Sequence, residues 1–131
     1  MRRRILHLVC VAPLLVAAAG CSPDSPLGVL FDPPECSIID LKKLDAVWPQ
    51  PAKIALTVKN NGGATAYDVA CEIKLKTGGT IVDEGVAYFG TLESGESISE
   101  EAWFTRISTH SEYGNATYHL YWYDSQGTYH D

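Results

Sequence analysis

The stretch "KIALTVKNNGGATAYDVACEIKLK", residues 53–76, decides the fold. In its first part Ile54, Leu56 and Val58 alternate with Ala55, Thr57 and Lys59. In its second part Val69, Cys71, Ile73 and Leu75 alternate with Ala70, Glu72 and Lys74. A period of two puts one apolar face and one wetter face on each segment, which is the pattern of a half-buried strand and not of a helix. Between them lies "NNGGATA", residues 60–66, whose Asn and Gly residues readily adopt the positive φ angles of a turn.

The same rhythm continues in both directions. "CSIIDLKKLDAV" precedes it, and "TGGTIVDE" follows as a Gly-Gly turn feeding a strand. In "AYFGTLESGESISEEAWF" the "ESGE" at residues 93–96 separates two more strands. "NATYHLYWYD" forms another before the turn residues "DSQG". About seven short strands, with turn signals every 8 to 12 residues, predict an all-β domain of roughly 95 residues folded as an antiparallel β-sandwich. Tyr118, near the start of the penultimate strand, is where immunoglobulin-like sandwiches place a tyrosine corner, its phenol bonded back to upstream backbone. Only Thr128 to Asp131 remain for a last strand, so that strand is a stub or missing.

The N-terminus has a different character. "MRRRILHLVCVAPLLVAAAGC" has three arginines, an apolar run from Ile5 to about Ala19, then small residues, which is the layout of a secretory signal. The run is short for a spanning helix, which needs about 20 apolar residues. Ala18, Ala19, Gly20 and Cys21 resemble the lipobox of bacterial lipoprotein precursors, with Ala18 where the usual leucine would stand. The resemblance implies cleavage after residue 20, a diacylglycerol on the Cys21 thiol and membrane anchorage through that lipid. Residues 1–20 would then be the cleaved signal, residues 21–35 the lipidated cysteine with a proline-rich tether, and residues 36–131 the sandwich. Ser22 after the cysteine is not the aspartate that retains enteric lipoproteins at the inner membrane. The expected location is therefore the cell envelope at the outer membrane, facing the periplasm or the surface. If extended at about 3 Å per residue, "SPDSPLGVLFDPP" would hold the domain roughly 40 Å from the membrane.

Removing the signal takes three of ten basic residues and leaves all sixteen acidic ones, so the mature chain carries seven against sixteen, a net charge of −9. That excludes nucleic acid, whose phosphates demand a basic face. Cys10 leaves with the signal and Cys21 takes the lipid. Cys36 and Cys71 remain, expected to form a disulfide in a compartment outside the cytoplasm, two separate buried thiols being the alternative.

A second resemblance covers about residues 36–127. "LTVKNNGGATAYDVACEIKL", "GTLESGES" and "YHLYWYDSQG" look like the CARDB domain, an immunoglobulin-like bacterial adhesion-related module, and share much with the related FxLYD-type domain. In that family a Gly-x-Leu-x-x-Gly-Glu segment, here Gly90, Leu92, Gly95 and Glu96, precedes the next strand. The resemblance implies a fold and leaves the role open.

Chemical signals are sparse. His110, His119 and His130 have no metal-ligand spacing, and no cofactor is implied. Ser108, His110, Ser111 and Asp124 supply the residue types of a nucleophilic triad, without a Gly-x-Ser-x-Gly elbow. The richest stretch is aromatic: His119, Tyr121 and Tyr123 share the strand face opposite Tyr118, Leu120 and Trp122, and Trp103 joins them if its strand is a neighbour. These residues point to a non-catalytic module that binds an envelope protein or a glycan. The alternative is an accessory subunit or small hydrolase, which a polar pocket holding His110 or His119 beside an acid would favour.

Overall fold

The computed structural model describes residues 32–131; the expected signal, Cys21 and the tether before Asp32 lie outside the described residues. Seven strands follow in order: β1 (Cys36–Leu44), β2 (Ala52–Asn60), β3 (Ala66–Thr77), β4 (Thr80–Leu92), β5 (Ser97–Phe104), β6 (Asn115–Tyr123) and β7 (Tyr129–His130). A single 3₁₀ turn, His110–Glu112, interrupts the connection between β5 and β6. The strands form two antiparallel sheets, β1-β2-β5 and β4-β3-β6-β7. This is the expected β-sandwich of seven strands. Its fourth strand stays hairpinned to the third instead of crossing to the first sheet, as it does in immunoglobulin constant domains.

The sequence rhythm explains the layers. Ile54, Leu56 and Val58 point inward from β2 and are buried; Val69, Cys71, Ile73 and Leu75 do the same from β3. With Phe89, Leu92, Phe104 and Trp122 they form one core cluster between the sheets. Each large apolar side chain buried in this way stabilises the fold by about 1.5–3 kcal/mol. The β3–β4 hairpin turns on Gly78 and Gly79, whose φ angles of 56° and 85° are the two positive values that a tight two-residue hairpin requires.

The domain begins earlier than Cys36. Pro34 is buried, and the indole Nε1 of Trp122 donates a 3.2 Å hydrogen bond to its carbonyl. The segment is clamped by Asn60, the last residue of β2, which is fully buried. Its Oδ1 accepts from the backbone N–H groups of Glu35 and Gly62, at 3.1 and 3.0 Å. Its Nδ2 donates to the carbonyls of Ala64 and Leu92, at 2.7 and 3.1 Å. Gly62 passes so close to this segment that a Cβ there would run into the Pro33 carbonyl. The predicted tether boundary at residue 35 therefore moves back to Pro34 at the latest.

The expected Cys36–Cys71 disulfide is not formed; both residues are buried free thiols. Cys36 opens β1 opposite Asn60 at the end of one sheet, whereas Cys71 lies five positions beyond Ala66, well along β3 in the other sheet. Burial pushes both thiols up to about 11, so they stay protonated and inert at neutral pH.

Tyr118 packs half-buried against the core, and burial raises its phenol above the usual range. Among the described residues its hydroxyl makes no bond to upstream backbone, so the tyrosine corner is not formed. Among the described residues no helix is long and apolar enough to cross a membrane.

Candidate functional site: an aromatic sheet face

Alternation along β6 sends Trp122, Leu120 and Tyr118 into the core and His119, Tyr121 and Tyr123 to the outer face of the four-stranded sheet. The register then recruits further rings. Ala70 of β3 lies opposite Tyr121 on one side and Tyr88 of β4 on the other; although it points outward it is only 1 % exposed, because the flanking side chains cover it. A bulge in β3 brings Tyr67 opposite Tyr123, with Asp68 at a φ of 49° turning the chain. The Tyr88 hydroxyl donates to Asp68 Oδ1 at 2.7 Å, and this bond raises the phenol's pKa.

The two-residue β7 completes the face. Tyr129 pairs with Tyr123 in the ladder, stacks on Tyr121 at 5.9 Å between centroids and meets Tyr123 edge-on at 5.7 Å. Its hydroxyl lies 2.9 Å from His119 Nε2. Such offset and edge contacts add about 0.5–1.5 kcal/mol each beyond area burial. Tyr129 is held there by Asp124. That carboxylate accepts the backbone N–H groups of Gln126 and Thr128 at 2.8 and 2.9 Å, and it also meets His130 Nε2 at 3.2 Å. Backbone N–H donation from Thr128 is the largest cause that lowers the Asp124 pKa to about 2. His130 in turn stacks on Trp122 at 5.9 Å.

Asp68, Glu72, Asp124 and Asp131 lie along this face, giving it an acidic rim. Beside it opens a shallow cavity of about 430 Å³ lined by Tyr67, Asp68, Tyr123, Asp124, Ser125 and Gly127. Because β7 pairs only with Trp122 and Tyr123, β6 from Asn115 to Tyr121 has no strand on that edge among the described residues.

Of the predicted binding residues, His119, Tyr121 and Tyr123 are brought together. Trp103 is not: β5 belongs to the three-stranded sheet, and Trp103 lies on its outer face beneath Lys53, whose Nζ is 5.0 Å from the ring and 2.8 Å from Glu101. Tyr67, Tyr88 and Tyr129 were missed. For Tyr129 the "DSQG" turn held the signal, because folding the chain back across it puts residue 129 beside residue 123.

The three histidines occupy separate places. His110 binds the Asp45 carboxylate through its backbone N–H, at 2.9 Å, and through its ring Nδ1. Its Nε2 is enclosed without a hydrogen-bond partner among the described residues, so no serine hydroxyl sits where a triad would need one. Among the described residues no three His, Cys, Asp or Glu side chains converge as metal ligands. No family model, no curated protein and no solved structure matches the chain.

Proposed function

We propose that this chain is a non-catalytic envelope lipoprotein, anchored through Cys21, whose sandwich binds a protein or glycan on the face built by His119, Tyr121, Tyr123 and Tyr129. The observation that carries the reading is the contiguity of those rings. Large amphipathic side chains with few rotors are stacked on one another at a solvent-facing surface, where a folded core has no need of them. The acidic rim selects for ligands rich in hydrogen-bond donors, such as sugar hydroxyls or basic side chains. The bare edge of β6 offers backbone groups to an added strand of a protein partner.

A photo-crosslinker at Tyr121 in cells, followed by mass spectrometry, identifies what touches the face. Tyr121→Ser with Tyr123→Ser should weaken that contact about tenfold or more while costing the fold no more than about 2 kcal/mol. Recovery of the same partner at the same level from the double variant would refute the site. For the anchor, intact mass should show acyl chains that Cys21→Ser abolishes; an unacylated wild-type chain would refute it.

A further inference from the structure

The end of the sandwich opposite Pro34 carries a second surface, separate from the sheet face of Tyr121. The β1–β2 connection closes on itself there through Val47 and Gln50, which exchange backbone hydrogen bonds of 3.0 and 2.7 Å. It is braced against the β5–β6 connection. The Ala46 N–H donates to the Ser108 carbonyl at 2.8 Å, and the Asp45 carboxylate accepts the His110 N–H at 2.9 Å. These bonds fix the loop, yet its largest side chain adds almost nothing to the core, for Trp48 is 92 % exposed. The fold gives no reason for an indole held in place and left in water.

Between the two connections lies an open cavity of about 530 Å³, within the usual size of small-ligand sites. Trp48, Pro49 and Pro51 make its apolar wall, and Gln50, Thr105 and Ser108 its polar one; no lining residue is charged. The backbone groups of Gln50 and the Ser108 carbonyl are engaged in the bracing. The side chains of Gln50, Thr105 and Ser108 are exposed and have no hydrogen-bond partner among the described residues. Charges of both signs surround the cavity: Asp45, Glu84 and Glu112 are exposed, and so are Arg106 and Lys42, the latter 3.5 Å from Asp40. Such a mixture gives no net attraction to an ion of either sign, so the ligand that fits is neutral.

We propose that this cavity binds a neutral saccharide, a pyranose lying with one face on the Trp48 indole and its hydroxyls toward Gln50, Thr105 and Ser108. An equatorially substituted pyranose has two unlike surfaces, a C–H face that is apolar and a rim of hydroxyls that both donate and accept. The indole matches the first as a large rigid platform. The amide and the two hydroxyls match the second, since each of them also donates and accepts. A proline-rich peptide would cover the indole, but without N–H groups it would leave the Gln50, Thr105 and Ser108 oxygens unmet. The loop is preformed, so binding orders little of it.

The test titrates chitotriose and cellotriose, both chains of β-linked, equatorially substituted pyranoses, into the full chain. Trp48 emission is taken as the difference between the full chain and Trp48→Phe, and affinity is read separately by ligand-observed NMR. One or both sugars should change the Trp48 emission saturably. Trp48→Ala should weaken binding about tenfold or more, with an unchanged thermal melt because the side chain buries so little. Gln50→Ala should weaken it about fivefold. Tyr121→Ser with Tyr123→Ser should leave it unchanged; loss of binding in that double variant would move the sugar to the tyrosine face and overturn this site. A Trp48 emission indifferent to both sugars, or an affinity unaltered in Trp48→Ala, would overturn it too. A response to a proline oligomer and to neither sugar would overturn the saccharide and leave the cavity to a protein partner.

Discussion

Asn60→Leu is the sharpest test of how this sandwich is held at the end where the chain arrives. Leucine keeps the branched shape and heavy-atom count of the asparagine side chain but can neither accept from Glu35 and Gly62 nor donate to Ala64 and Leu92. The Gly62 N–H and the Leu92 carbonyl are the two partners that meet Asn60 in buried bonds, and each loses its only such contact with that side chain. A buried polar group left unpaired costs about 1–3 kcal/mol, so the two together cost about 3–4 kcal/mol. Glu35 and Ala64 sit in partly buried bonds and regain water, adding little. With a urea m value of about 1.5–2 kcal/mol/M for a domain of this size, the midpoint should fall by about 2 M at unchanged m. The melting temperature should drop by some 15 °C or more. Asn61→Ala is the control, since its side chain makes one exposed bond to Ser37 Oγ at 2.8 Å; it should cost less than about 1 kcal/mol. If Asn60→Leu cost no more than Asn61→Ala, the idea that this amide organises the loop would be wrong.

Three further outcomes follow from the same geometry. Gly62→Ala should destabilise by about 1–3 kcal/mol, because its Cβ meets backbone of the Pro33–Glu35 segment that cannot yield like a side chain; a neutral result in thermal melts would contradict the close approach. Cys36 and Cys71 should resist a thiol reagent in the native protein and react together on unfolding; a rapid native reaction of either thiol would contradict their burial. The folded Asp124 carboxyl has its pKa depressed from 3.8 to about 2, so its contribution to stability is complete above about pH 4 and disappears as pH falls through 2. Asp124→Asn should therefore flatten the loss of stability across that window, and an unchanged acid profile by circular dichroism would argue against it.

How far the sequence could be read depended on whether a residue's partners were near it. Ile54 to Val58 and Val69 to Leu75 announced their inward faces because alternation is local, and the Gly78–Gly79 turn was legible for the same reason. The face of His119, Tyr121 and Tyr123 followed from the same period on β6. Asn60 read as an ordinary turn residue, since two of its four partners are 25 and 32 residues away. Trp103 went to the wrong group because alternation tells which way a side chain points, not which sheet its strand joins. Cysteine counting paired Cys36 with Cys71 without knowing that Cys36 sits at the very end of β1 while Cys71 lies well along β3. Trp48 gave no signal at all, because an apolar residue just before a proline is as easily core as surface.

The buried Pro34 fixes where any pull on the N-terminal chain enters the domain. Force arriving there runs along β1, away from the Trp48 end. If the domain is held through its other strands, β1 is drawn lengthwise past β2, from the Cys36–Asn60 pair to the Leu44–Lys53 pair. Their hydrogen bonds then bear the load together instead of opening one after another, and the first strand acts as a shear-loaded strap.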